Sequence, residues 1–383
     1  MATRPIGVIM HGATGRIGTV QHLTNAIAEI RRDGGLPLSD GTRLMPEPVL
    51  VGRNPDKLAA LAARFGLTQW TTDLDAALAD PANEIFFDSA ATAPRPGLIR
   101  RAIAAGKHVY VEKPVAGGTN EALDLARTAQ AAGLKHGVVQ DKMTLPGLVK
   151  LALLRDLGFF GRLLHVKLDF GWWVFDGIHQ RAQRSSWNYR KSEGGGLILD
   201  MYPHWRYILD GLFGPITAVT CRHQTHLPDR RDEAGRPYTC DVEDAAYATF
   251  ELASGVLVEV TSSWTSRVRR DDLMTLQVDG TGGSAVAGLH RCFVQPAGTT
   301  PLPAWDVMQD RRPDYPAQWQ EVPDTTPLKN GYRAGWEGFL AHVAEDAPFA
   351  ATLLAGAKGV QLAEAAYRSN LERRWIDLPD LTL

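Results

Sequence analysis

Gly12-Ala13-Thr14-Gly15-Arg16-Ile17-Gly18 is the first stretch of this chain whose residue types and spacing could do chemistry. It follows a continuous apolar run, 6–10, and opens a helical stretch, 17–32. Glycine at a strand-to-helix turn lets the backbone bend sharply and approach a pyrophosphate, and the first N–H groups of the helix attract the anion. Gly12, Thr14, Gly15, Arg16, Ile17 and Gly18 are therefore expected to hold a dinucleotide. The end of the next strand usually supplies a carboxylate to the adenosine ribose hydroxyls. Here Gly52-Arg53-Asn54 stands instead. A missing acid followed by Arg53 favours NADP(H), with NAD(H) the alternative, and Arg53 and Asn54 join the expected cofactor contacts. None of the nine tyrosines has a lysine four residues later, so a Tyr-x-x-x-Lys reductase is excluded.

Two further clusters could act on a substrate. Glu112-Lys113-Pro114 follows the strand 108–111, which places Lys113 at the carboxyl edge of a parallel sheet, where ligands bind. Glu112 and Lys113, together with Ala90 after an earlier strand, are further candidate cofactor contacts. Asp200 and His204 lie four apart on an expected helix, 197–213, and so share a face. They either point at a substrate or form a buried pair that only ties the helix down. Pro203 between them removes one helical bond. Lys142, Trp172, Asp176, His179, Trp187, Arg190 and Tyr202 are candidate substrate contacts, because aromatic faces beside hydrogen-bonding groups suit a polyhydroxylated ring. Trp173 points opposite to Trp172 if the strand continues, so at least one of the two is expected in the core.

The elements that must position these groups alternate strand and helix over 1–140, which implies an α/β fold with a doubly wound parallel sheet, a Rossmann dinucleotide-binding domain. The second strand is expected only at 49–51, after a loop spanning 33–48. From 141 to 383 the pattern changes to an α+β domain for substrate binding and oligomerisation. Its extended segments, 163–173, 216–226, 244–252, 256–264 and 273–278, form a large open, mostly antiparallel sheet. Helices are expected at 145–157 and 355–370, and 295–330 reads as a long surface excursion.

Composition narrows the function. The chain has 383 residues, 41 Lys+Arg against 43 Asp+Glu and a formal charge of -2, which argues against nucleic acid as a partner. No stretch reaches the ~18 apolar residues of a spanning helix, so no membrane partner is expected. Three cysteines fit a reducing compartment and a cytoplasmic protein. Cys221-x-His223-x-x-His226 with Cys240 lacks the spacing of a zinc site, so no metal is expected. Arg181, Arg184 and Arg190 read as a solvated edge or a subunit contact.

Taken in order, these motifs resemble the glucose–fructose oxidoreductase/inositol dehydrogenase (Gfo/Idh/MocA) family. The likeness adds 104–109 running into Glu112-Lys113-Pro114, Trp187-Asn188-Tyr189-Arg190 before three glycines, Val242-Glu243-Asp244, 280–284 and 361–369. The resemblance implies that Lys113, Asp200 and His204 occupy the positions of the family's catalytic lysine, aspartate and histidine. It also implies dimers or tetramers through the open sheet. The chain departs from the pattern at Tyr202, where glycine is frequent, at Tyr207, where aspartate is frequent, and at Arg95, where histidine is frequent. The expected activity is an NAD(P)-dependent oxidoreductase that interconverts a secondary alcohol and a ketone on a sugar, cyclitol or related polyol. In it His204 acts as acid/base, Lys113 stabilises the substrate oxygen, and Asp200 orients both. Lys113 could instead carry the proton. The alternatives are an NAD-dependent glycosidase that works through transient oxidation, and a non-catalytic nucleotide sensor.

Overall fold

The computed structural model describes residues 2–305, 308, 313–325 and 327–383. These form two compact units.

The first unit is built on a sheet of seven strands: β1 (Thr3–His11), β2 (Leu36–Pro37), β3 (Arg43–Val51), β4 (Trp70–Thr71), β5 (Asn83–Asp88), β6 (His108–Val111) and β7 (His136–Val138). Its order runs β4-β3-β1-β5-β6-β7, all parallel, with β2 added antiparallel to β3. The chain reverses its direction of winding at β1, so the carboxyl ends of β1 and β5 open the crevice in which such sheets bind ligands. The first helix is wound in π geometry over Ile17–Ile27, where the Ala28 N–H bonds five residues back to Leu23, and continues as α1 (Ala28–Arg32). Then follow α2 (Pro55–Phe65), α3 (Leu74–Ala79), α4 (Arg95–Ala104) and α5 (Thr119–Ala131).

Strand β3 corrects the expected loop: it starts at Arg43, and only 33–42 separate it from α1, with β2 among them. Pro46 and Pro48 are tolerated for a topological reason. The N–H groups of Leu50 and Gly52 point towards the β4 side, to Gln69 and Thr71, and the even-numbered prolines share that side. There β2 reaches only Arg43 and Leu44, and β4 only Leu50 and Val51. The prolines thus lack a donor where no strand asks for one.

The second unit begins with α6 (Pro146–Asp156), β8 (Leu163–Gly171), α7 (Leu197–Phe213) and β9 (Ile216–Gln224). A small hairpin, β10 (Asp229–Arg231) and β11 (Pro237–Thr239), precedes β12 (Ala245–Leu252), β13 (Leu257–Ser263), β14 (Met274–Gly280), β15 (Gly283–Ala287), β16 (Cys292–Pro296) and β17 (Gln320–Glu321). After α8 (Gly331–Glu345) and α9 (Leu353–Glu372), the closing β18 (Ile376–Asp377) completes a nine-stranded sheet of order β17-β16-β15-β14-β8-β13-β12-β9-β18. Only β8 and β13 pair in parallel. Helix α7 lies on one face, where Trp205 packs on Phe170 and its indole N–H reaches Ser262. The other face carries Lys167, Tyr247 and Glu259, all exposed, so the sheet is open as expected. The surface excursion at 295–330 falls partly outside the described residues.

One expectation about the domains needs correcting. Residues 141–383 are not all in the second unit: 329–364 and 380–383 group with the first. Helix α8, which the sequence reading did not include, places Trp336, Phe339 and Leu340 fully buried against Leu23, Ile27 and Phe87. The early part of α9 puts Leu353, Ala357 and Val360 with Phe86, Ile99 and Leu125 on the opposite side of the sheet. Burying one such side chain is worth about 1.5–3 kcal/mol.

Candidate active site

The first unit presents the glycine turn at the end of β1. Gly12 has φ +77°, and a side chain there would sit 2.8 Å from the Ala90 nitrogen. A Cβ on Gly18 would come within 2.6 Å of the Gly12 carbonyl and 2.7 Å of Ser89 Oγ. Only glycine fits either position, and the backbone of 12–18 forms a bare cradle at the head of a helix. Ala13 is buried and its carbonyl takes the Thr19 hydroxyl at 2.6 Å, while Gly15 and Arg16 are exposed. Thr14 lies alongside Gly52: a Cβ on Gly52 would be 3.7 Å from Thr14 Oγ1. These residues fit a dinucleotide phosphate.

The residues around the cradle are already tied down. Asp88, at the end of β5, is fully buried and meets His11 Nδ1 at 2.7 Å and the buried Arg95 Nε at 2.8 Å. Burial pushes its carboxyl up, but the His11 bond and the Arg95 charge outweigh that and hold it below the ordinary value. Arg95 also donates to the Ala90 carbonyl at 2.6 Å, and the Ala90 N–H donates to Asp88 at 3.1 Å, so Ala90 is a fixed backbone corner. Arg95, a departure from the family pattern, thus ties Asp88 to the carbonyls of Ala90 and Pro114. Asn54 caps α2 by accepting the Lys57 N–H at 3.0 Å, and Arg53 beside it is exposed.

Lys113 is half-buried just after β6, and its backbone N–H donates to Glu112 Oε2 at 3.0 Å. The other carboxylate oxygen of Glu112 meets His22 Nε2 at 2.9 Å.

The second unit carries the other two groups on α7. Glu243 accepts the Ile198 N–H at 2.7 Å and the Tyr367 hydroxyl at 2.9 Å, capping the start of that helix. A Cβ on Gly196 would lie 2.9 Å from both the Glu243 carboxylate and the Tyr367 hydroxyl, which explains the glycine before α7. Burial raises the Glu243 carboxyl above its ordinary value despite these bonds. Pro203 lies inside α7 without ending it.

Asp200 Oδ2 accepts from Arg184 Nη2 at 2.7 Å, and Arg184 lies 4.3 Å over the Trp264 ring. One turn on, His204, 4% exposed, meets the Tyr207 hydroxyl through Nδ1 at 2.8 Å. The Lys142 N–H donates to the same hydroxyl at 3.2 Å. Asp200 and His204 are thus oriented by separate partners, Arg184 and Tyr207. Neither partner is among the candidate site residues: Arg184 reaches Asp200 through chain folding that no local periodicity announces, whereas Tyr207 lies three residues after His204 on the same helix and helical spacing alone could have found it.

The remaining substrate candidates divide. Tyr202 is fully buried, edge-on to Phe250 with its hydroxyl 3.5 Å from Cys221, and its phenol is pushed well above its ordinary value chiefly by burial. It is a core residue of the sheet face rather than a substrate contact. Trp172 and Trp173 are both half-buried, so neither is the core residue expected of the pair, and Arg267 covers Trp173 at 3.9 Å. Asp176 accepts the Ile178 N–H at 2.8 Å, shaping its own loop. His179 and Trp187 are exposed. Arg190 is half-buried over Tyr238 at 4.9 Å, and Lys142 is half-buried. Among the described residues no cluster of His, Cys, Asp and Glu could hold a metal ion, and no helix is long and apolar enough to cross a membrane.

A phosphate cradle at the switch point of a doubly wound sheet, followed by a lysine at the sheet's carboxyl edge, defines the class: an oxidoreductase that binds a nicotinamide dinucleotide. Residues 6–140 match the oxidoreductase family with an NAD-binding Rossmann fold, and residues 149–286 match the Gfo/Idh/MocA C-terminal domain. The chain belongs to the Gfo/Idh/MocA family of oxidoreductases.

It is 47% identical over 385 residues to a D-xylose dehydrogenase from Paenarthrobacter nicotinovorans, covering 100% of this chain and 99% of that one. It is 24% identical over 257 residues to a levoglucosan dehydrogenase from Pseudarthrobacter phenanthrenivorans, covering 63% and 65% of the two chains. A solved levoglucosan dehydrogenase in complex with NADH and levoglucosan superposes with a TM-score of 0.80 at 20% identity, covering 99% of this chain and 100% of that one. That likeness bears on the fold alone.

Proposed function

We propose that this protein is a sugar dehydrogenase that takes D-xylose or a sugar of that class and uses Lys113, Asp200 and His204 for the chemistry. The observation that carries the substrate class is the 47% identity to a D-xylose dehydrogenase along the whole length of both chains. The bound nicotinamide supplies the hydride acceptor or donor. The protein's own groups manage charge and protons. His204, with Nδ1 held by Tyr207, takes the substrate hydroxyl proton at Nε2 and returns it in the reverse direction. The Lys113 ammonium stabilises the negative charge that develops on the oxygen. Asp200, clamped by Arg184, orients the other two groups.

NADP(H) is the favoured cofactor. Arg53 is exposed immediately after β3, and no carboxylate stands at 52–54 to repel a 2′-phosphate. Residues 1–140 bind the dinucleotide, and 141–383 supply substrate and subunit contacts, apart from the segments grouped with the first unit. Subunits pair as a homodimer or homotetramer through the open sheet, whose exposed Tyr247 and Leu257 support a contact surface. Three free, buried thiols support a cytoplasmic setting.

The test is an activity screen with NAD and NADP against D-xylose and a panel of other sugars and inositols, followed by fluorescence titration with NADH and NADPH. Oxidation of an aldopentose with tighter NADPH binding is expected. No turnover on any sugar overturns the reading, and tighter NADH binding overturns the Arg53 argument alone.

A further inference from the structure

We infer that His22 is a positioning residue that ties the helix receiving the cofactor phosphates to the backbone of Lys113. The inference rests on the proposed site only in taking the 12–18 turn as the phosphate cradle and Lys113 as a working residue.

His22 sits in the π-wound segment that begins directly after the cradle, and it is fully buried. Trp336 Nε1 stands 3.0 Å from His22 Nδ1. An indole N–H can only donate, so Nδ1 is the acceptor and the ring proton sits on Nε2. That proton faces Glu112 Oε1 at 2.9 Å, and Glu112 Oε2 accepts the Lys113 N–H at 3.0 Å. The donors therefore converge on Glu112: Trp336 donates to His22 and His22 to Glu112 from one side, and the Lys113 amide donates to Glu112 from the other.

Turning the imidazole over would give up the bonds to both Trp336 and Glu112. Phe87, with its centroid 4.3 Å away, and Tyr332, edge-on at 5.1 Å, close its two sides. Glu112 and Tyr332 are the titratable groups that face it. Helix α8, which supplies both Trp336 and Tyr332, thus locks the first helix against the loop that carries Lys113. A π-wound turn is frequent where a helix serves a functional site, and here it is the segment that carries His22. Movement of the first helix on phosphate binding reaches Lys113 through this rigid path rather than through solvent.

The experiment uses ADP-ribose, with and without a 2′-phosphate, because it fills the phosphate cradle but has no nicotinamide to touch Lys113. Amide hydrogen exchange is followed on the full chain as wild type, His22→Leu, His22→Gln and Trp336→Phe. In the wild type the ligand is expected to slow exchange at 12–19 and at the Lys113 amide. In His22→Leu the protection at 12–19 persists and that at Lys113 disappears. His22→Gln, which keeps a donor to Glu112, restores it, and Trp336→Phe, which removes the indole N–H together with part of the ring, weakens it.

In the activity assay His22→Leu lowers kcat by about tenfold or more with little change in nucleotide affinity, as expected for loss of a bond to a charged group. Equal protection of Lys113 in wild type and His22→Leu overturns the inference, as does wild-type protection confined to 12–19. Absence of protection at 12–19 with either ligand overturns the cofactor site instead. If His22→Leu does not fold, the comparison of Trp336→Phe with wild type decides: unchanged protection of Lys113 is the contrary result.

Discussion

Arg184 Nη2 lies 2.7 Å from Asp200 Oδ2 while its guanidinium covers the indole of Trp264 at 4.3 Å. Trp264 in turn stands edge-on to Tyr189, and Tyr189 is covered at 3.7 Å by Arg230, whose Nη2 reaches the buried Asp244 at 3.3 Å. Two carboxylates are thus joined by a run of two rings in edge-to-face contact, flanked by two cations. Asp244 anchors the far end through the N–H groups of His226 and Leu227. The arginine that the sequence suggested as a solvated edge is the residue that fixes the candidate carboxylate.

Arg184→Met is expected to lower kcat by about ten- to a hundredfold, the range for losing a hydrogen bond to a charged group. Nucleotide affinity stays unchanged, because the cradle lies in the other unit. Arg184→Lys recovers only part of the loss, since a lysine cannot lie flat on Trp264 and donates as a point charge. Steady-state kinetics with a parallel nucleotide titration checks both; wild-type kcat in Arg184→Met contradicts the clamp.

Tyr207→Phe removes the hydroxyl that holds His204 Nδ1 and leaves the Lys142 N–H without that acceptor. A fall in kcat of about tenfold is expected, together with a loss of stability of about 1–3 kcal/mol from the abandoned groups. Kinetics and denaturant unfolding measure the two effects separately. A rise in KM with kcat unchanged shows that Tyr207 orients no catalytic group.

Asp88 carries a sign for acid stability. Its folded-state carboxyl lies below the ordinary value because the His11 bond and the Arg95 charge outweigh the effect of burial. The unfolded carboxyl titrates near about 3.9. The contribution to stability is therefore complete above that pH and is lost as pH falls through the lower folded value. Asp88→Asn leaves Arg95 buried without its charge partner and is expected to cost about 3–5 kcal/mol at pH 7. The gap between wild type and variant closes on acidification. Unfolding curves from pH 7 to pH 2 measure it, and a gap that widens towards low pH contradicts the assignment.

The parts of the site legible in the sequence are those fixed by local requirements. Gly12 and Gly18 announce themselves because a close backbone approach admits no other residue. Lys113 follows from its place after a strand of a parallel sheet. The expected helix 197–213 matches α7 to the residue, despite Pro203, because its apolar face is strong enough to outweigh one missing bond. What stayed hidden depends on distant partners. His22 and Glu112 are 90 residues apart, and Trp336 lies 314 residues from His22, so no spacing rule relates them. The first half of strand β3 is not legible, because Pro46 and Pro48 argue against a strand unless the side of it that lacks a neighbour is known. Tyr202 shared the helix with Asp200 and His204, but it faces the sheet, where burial rather than chemistry explains it.

The central proposal is that the Lys113 ammonium and the His204 imidazole both serve the hydride-transfer reaction. Its most direct test is the turnover of D-xylose, or of the best sugar in the screen, by Lys113→Met and His204→Ala, with NADPH and NADH affinity measured on the same preparations. Each variant is expected to lose roughly 100-fold or more in kcat, as removal of an acid–base or oxyanion-stabilising group does, with nucleotide affinity as in the wild type for His204→Ala and changed far less than kcat for Lys113→Met. Wild-type turnover in either variant contradicts the account.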